Sequence, residues 1–142
     1  RLKKILWIVT KQNPLKKKPF LNVKERLKLS KKITKNYDKI LVKSQNSIVK
    51  TKSTFFLLKK IKYKNKKMKL FFLIGADNLI NFHKWKNWYK IPIFAKIVVF
   101  TRPNYLKKAK NSVAAKKLNK KDWIYVSTKG LNISSSLIRK FW

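Results

Sequence analysis

The sequence predicts an α/β fold, a doubly wound Rossmann-like parallel sheet, on three observations. Apolar runs of strand length alternate with longer lysine-rich stretches of helical periodicity, the pattern of successive βαβ units. The runs are continuous rather than alternating, as in strands buried on both faces. Polar clusters carrying Gly, Pro or Ser close the strands, where such sheets bind their ligands. With 142 residues the chain is sized for a single domain, 1–142, large enough to bury a core.

Each element follows in order. Ile5-Leu6-Trp7-Ile8-Val9 is the first strand, closed by Gln12-Asn13-Pro14. From Val23 to about Asn36, Leu27, Leu29 and Ile33 recur among lysines and predict a helix capped by Asn22. Lys39 to Lys43 is a second strand. Thr51, Ser53 and Thr54 supply hydroxyls for the N-terminus of a helix running through Phe55, Leu58, Ile61 and Tyr63. Leu70 to Ile74 is a third strand, ending abruptly at Gly75-Ala76-Asp77. Asn78 to Tyr89 reads as one aromatic-rich helix, Ile97 to Phe100 as a fourth strand and Leu106 to Leu118 as a helix. Trp123 to Val126 is a fifth strand, and Ser134 to Phe141 opens a last helix.

Charge is the most conspicuous feature and a poor guide to function. Thirty-nine Lys+Arg against 4 Asp+Glu give a net charge of +35, which suits a nucleic-acid binder. Yet only Arg1, Arg26, Arg102 and Arg139 are arginines, and Arg is the side chain that reads phosphate and guanine through two parallel bonds. Lys, Asn and Ile are all residues of A/T-rich codons, so much of the excess is coding bias over an ordinary fold. The field still predicts weak, salt-sensitive, non-specific polyanion binding. The lack of cysteine excludes disulfides, thiolate metal sites and thiol catalysis. No apolar run approaches the ~20 residues of a membrane span.

The rare acids are more informative. They are Glu25, Asp38, Asp77 and Asp122, and Asp77 stands in the least lysine-rich segment. Gly75-Ala76-Asp77-Asn78 joins a strand to a helix, where glycine admits close approach of a ligand and free amides face an anion. The plainer alternative is that Asp77 or Asn78 caps the helix. Ser134-Ser135-Ser136 followed by Arg139 combines hydroxyls, amides and a guanidinium in a phosphate-binding pattern. Trp85, Trp88 and Tyr89 form a stripe that is either core or stacking platform. His83 is the sole histidine, so no histidine pair exists to hold a metal.

In this order the clusters resemble the bacterial nicotinate-nucleotide adenylyltransferases of the nucleotidyltransferase α/β superfamily. Phe72 to Trp85 (FLIGADNLINFHKW) is similar to the family's IGAD-x-L-x-x-F-x-x-W signature. Trp7 to Pro14 resembles its second strand and Asn-Pro turn. Lys50 to Thr54 resembles its Y-T-x-x-T helix start, with Lys50 at the Tyr. Thr101-Arg102-Pro103-Asn104-Tyr105 resembles R-P-G-Y, with Asn104 at the Gly, and Asn132 to Arg139 resembles I-S-S-T-x-I-R. The family's opening strand and helix, with G-G-x-F-D-P-x-H-x-G-H, find no counterpart. The resemblance therefore implies an N-terminally incomplete domain, with a gap and exposed apolar surface beside Ile5–Val9.

The resemblance further implies transfer of AMP from ATP to nicotinate mononucleotide, giving deamido-NAD and pyrophosphate in a cytoplasmic enzyme of NAD biosynthesis, with Mg2+ accompanying ATP. Gly75, Asp77, Ser134, Ser135 and Arg139 would bind ATP and its phosphates. Thr51, Trp85 and Arg102 would bind nicotinate mononucleotide, and Asn13 is a weaker carry-over. The histidines that stabilise the transition state in the family are missing, so no catalytic residue is assigned and little adenylyl transfer is expected. Two alternatives are a basic RNA-binding protein and an adenylyltransferase with another acceptor, such as phosphopantetheine.

Overall fold

A computed structural model describes residues 2–12 and 19–127. The fold is α/β with every strand pair parallel. The chain divides into two compact units, Arg1–Lys64 and Asn65–Trp142. The described strands pair as one group of two and one of three, one group in each unit.

In the first unit β1 (Ile5–Val9) pairs with β2 (Ile40–Ser44), Ile5 opposite Ile40 and Val9 opposite Ser44. Between them runs α1 (Val23–Ile33). Its start is a capping box: the Glu25 amide donates to Asn22 Oδ1 at 3.0 Å, and the Asn22 amide donates to Glu25 Oε2 at 2.8 Å. Its end comes at Ile33, before the expected Asn36, where the buried Thr34 hydroxyl donates back to the Ser30 carbonyl at 2.8 Å. Arg26 binds α1 to its approach, donating from Nε to the Leu21 carbonyl and from Nη2 to the Lys11 carbonyl. A second helix, α2 (Thr54–Lys64), buries Phe55, Leu57 and Leu58. The hydroxyl cap expected from Ser53 is not made; Ser53 Oγ is buried with no hydrogen-bond partner among the described residues, while its carbonyl accepts the Leu57 amide.

The expectation of a first strand buried on both faces is corrected. Ile5, Leu6 and Trp7 are 37%, 38% and 42% exposed, because among the described residues β1 has β2 as its one hydrogen-bonded neighbour. An apolar run records what a strand tolerates, whereas neighbouring strands and covering helices decide what it buries.

In the second unit β3 (Phe71–Gly75), β4 (Lys96–Phe100) and β5 (Trp123–Val126) lie in that order. The central β4 matches the expected double burial: Ile97, Val98 and Val99 are all buried, with Ile97 set between Phe72 and Trp123. On the edge, β3 leaves Phe71 and Leu73 exposed. The core continues through Leu79, Phe82 and Ile91, which are wholly buried.

Two helices predicted as continuous are broken. The segment from Asn78 to Tyr89 becomes α3 (Ala76–Ile80) and two 3-10 turns, Phe82–Lys84 and Trp88–Ile93. Asn87 lies between the turns at φ 54°, a left-handed conformation that no α-helix continues through, and Pro92 removes a further amide. Leu106 to Leu118 becomes α4 (Leu106–Lys110) and α5 (Val113–Lys117). There Ser112 starts a new helix by accepting the Ala115 amide on Oγ at 3.2 Å.

Candidate functional site

The polar site of the second unit stands at the carboxyl ends of β3 and β4, whose last residues, Gly75 and Phe100, are paired in register. Gly75 is the N-cap of α3 and makes no side-chain cap. Asp77 is therefore the second residue of the helix and not its cap, which corrects the capping alternative. Its carboxylate reaches 25 residues along the chain: Arg102 Nη1 donates to Asp77 Oδ2 at 2.8 Å, with Asp77 13% and Arg102 36% exposed. Gly75 makes this pose possible, since a Cβ there would lie 2.6 Å from Asp77 Oδ1.

The loop after β4 presents Arg102 through a tight turn. The Tyr105 amide donates to the Arg102 carbonyl at 3.1 Å, with Pro103 and Asn104 as the central pair. Asn104 has φ 66°. Proline first and a left-handed residue second is the signature of a type II turn, so asparagine meets here the demand that glycine meets in R-P-G-Y. The turn brings the Tyr105 ring under the Arg102 guanidinium, 5.9 Å from its centroid.

Trp85 follows the Phe82–Lys84 turn. It is partly exposed, packed against Phe72 with ring centroids 6.2 Å apart and tilted against Phe82 at 5.3 Å. Trp88 meets the other side of Phe82, with centroids 6.1 Å apart. Phe82 of the aromatic stripe is thus wholly buried, while Trp85 and Trp88 stay partly exposed. His83 keeps a buried Nδ1 without a hydrogen-bond partner among the described residues.

Thr51 belongs to the first unit, where its carbonyl accepts from Nε2 of the buried Gln45 at 2.8 Å and its hydroxyl accepts the Ser53 amide at 3.2 Å. Gly75, Asp77, Trp85 and Arg102 all stand in the second unit. Asn13, Ser134, Ser135 and Arg139 lie outside the described residues. Among the described residues no three His, Asp or Glu side chains gather to hold a metal. Asp77 is already engaged by Arg102, so these residues alone make no magnesium site, and the ion would be held chiefly by the phosphates of ATP.

Sequence reasoning missed three supporting residues: Gln45, Arg26 and Tyr105. Scarcity was the available signal for Arg26. In a chain dominated by lysine, both arginines among the described residues, Arg26 and Arg102, hold specific acceptors.

A parallel α/β unit with polar residues gathered at its strand ends is the architecture of a nucleotide-binding enzyme. The chain belongs to the cytidylyltransferase-like family, whose model matches residues 1–141, and within it to the nicotinate-nucleotide adenylyltransferases. It is 40% identical over 139 residues to the probable nicotinate-nucleotide adenylyltransferase of Pelagibacter ubique, covering 98% of this chain and 77% of that protein. The protein of the same name from Ruegeria is 30% identical over 115 residues, 81% of this chain and 60% of its own length. Plasmodium falciparum nicotinic acid mononucleotide adenylyltransferase complexed with NaAD has the same fold. It superposes with a TM-score of 0.75 at 20% identity, covering 99% of this chain and 69% of that one. No described helix is long and apolar enough to cross a membrane.

Proposed function

We propose that this chain carries the substrate-binding machinery for transfer of AMP from ATP to nicotinate mononucleotide, giving deamido-NAD and pyrophosphate in the cytoplasm. The observation that carries the reading is Trp85, a partly exposed indole wedged on Phe72 and Phe82 beside the IGAD segment. An indole that is not fully buried suits a flat pyridine ring, as aromatic side chains suit nucleobases.

The reaction needs no covalent work from the protein. A phosphate oxygen of nicotinate mononucleotide attacks the α-phosphorus of ATP in line, and pyrophosphate leaves, so catalysis is positioning and charge stabilisation. Gly75 and Asp77 line the nucleotide crevice, and Ser134, Ser135 and Arg139 hold the ATP phosphates. Arg102 supplies an anion-binding fork for the acceptor. Magnesium arriving with ATP neutralises phosphate charge. A diffuse basic RNA binder explains the charge of +35 but gives no reason for the Asp77–Arg102 pair or the Trp85 platform.

Titration calorimetry tests the reading. The chain is expected to bind nicotinate mononucleotide in preference to phosphopantetheine, and Trp85→Ala should weaken that binding by roughly 1–3 kcal/mol while leaving ATP nearly untouched. Melting curves recorded in parallel separate stacking from packing. A folded Trp85→Ala protein with undiminished affinity would sink the role of the indole and the choice of acceptor.

A further inference from the structure

We propose that Asp77 is a positioning residue that holds Arg102 ready for an oxyanion of the acceptor nucleotide, and that glycine at 75 serves this pose. The inference rests on the acceptor reading above and assigns Asp77 work done through another side chain.

Three observations converge on it. First, Arg102 is held from two sides: Nη1 donates to Asp77 Oδ2 at 2.8 Å, and the guanidinium carbon stands over the Tyr105 ring, 5.9 Å from its centroid. A guanidinium has five donors in a rigid fork, so anchoring one end aims the others. Second, Arg102 is 36% exposed while Asp77 is only 13% exposed, so the carboxylate serves as the inner anchor and the guanidinium as the outward-facing group. Lysine crowds the exposed surface of this chain, and a lysine would supply charge alone. Arginine at 102 supplies geometry. Third, Gly75 leaves open the space that Asp77 Oδ1 occupies, 2.6 Å from where a Cβ would stand. A methyl group at 75 would meet Asp77 Oδ1 and force the carboxylate to shift, without removing either charge.

The acceptor offers two oxyanions, the pyridine carboxylate and the 5′-phosphate, and a fork of N–H donors fits either. With four arginines in the chain, a sample carrying ¹⁵N-arginine gives four Nε–H signals. The Arg102 signal, identified by its loss in Arg102→Lys, is expected to be dispersed in the wild type, to collapse toward the solvent-exposed position in Asp77→Asn and in Gly75→Ala, and to shift on adding nicotinate mononucleotide. Asp77→Asn and Arg102→Ala should each weaken that ligand about tenfold, the scale of one charge-assisted hydrogen bond. The double variant should be no weaker than Arg102→Ala alone, and Asp77→Glu should recover part of the loss. Nicotinamide mononucleotide lacks the carboxylate and nicotinic acid riboside lacks the phosphate. The analogue for which the Arg102→Ala penalty disappears identifies the oxyanion. An Arg102 signal indifferent to both Asp77→Asn and Gly75→Ala overturns the proposal. So does a penalty for Asp77→Asn that adds in full to that of Arg102→Ala, because Asp77 would then act on the acceptor independently of Arg102. An Arg102 signal that depends on Asp77 but ignores nicotinate mononucleotide would overturn the acceptor reading and leave the positioning role standing.

Discussion

β1 and β4 are both five-residue apolar strands, ILWIV and KIVVF, and the structure treats them oppositely. In the second unit β4 has a hydrogen-bonded strand on each side, and Ile97, Val98 and Val99 are buried. In the first unit β1 has one described neighbour, and three of its five residues stand more than a third exposed. Hydrophobicity is comparable, so burial here is a property of position in a sheet. The hydrophobic stabilisation of the second unit is correspondingly concentrated around β4, Leu79, Phe82 and Ile91.

The largest expected effect breaks the second unit at that point. Phe82→Ala removes a wholly buried ring that also supports Trp85 and Trp88, and should cost about 3–5 kcal/mol in urea denaturation. A cost below about 1 kcal/mol would remove the contrast between the units. The first unit should respond most to its capping box: Asn22→Ala is expected to lose about 1 kcal/mol, read by the same denaturation. Leu41→Thr on β2, where the leucine is 42% exposed, should cost less than about 1 kcal/mol. Hydrogen exchange sharpens the comparison without mutation. Amides of β4 should exchange more slowly than those of β1, and equal protection would show that the two strands share one cooperative unit.

Much of this was legible in the sequence, for physical reasons that differ from element to element. All five strands among the described residues were located by their apolar runs, and the Asn22 cap by its position before a periodic stretch. The IGAD and R-P-x-Y segments marked the two loops that meet in the Asp77–Arg102 pair. The broken helices were not legible, because Asn87 and Ser112 are compatible with a helix until tertiary packing selects otherwise. The exposure of β1 was not legible from its composition, because an apolar run does not say how many strands and helices will cover it. The partner of Asp77 was hidden for another reason: an ion pair spanning 25 residues leaves no periodic trace, and only the rarity of arginine and aspartate hinted that these two had specific work.

Asn87 and Asn104 are the only non-glycine residues with positive φ among those described, and both are asparagine. That coincidence sets a boundary on how this sequence can drift. Mutation pressure that favours lysine, asparagine and isoleucine can overwrite most exposed positions at little cost, since a solvated helix or loop accepts lysine readily. At a left-handed position it cannot: lysine or isoleucine would bear the Cβ penalty, roughly 1–2 kcal/mol, that asparagine partly escapes through its short polar side chain. Asparagine is the one residue that satisfies both the compositional pressure and the backbone. The turn that presents Arg102 can therefore lose its glycine and keep its shape, and the geometry of the site outlasts the letters that usually spell it.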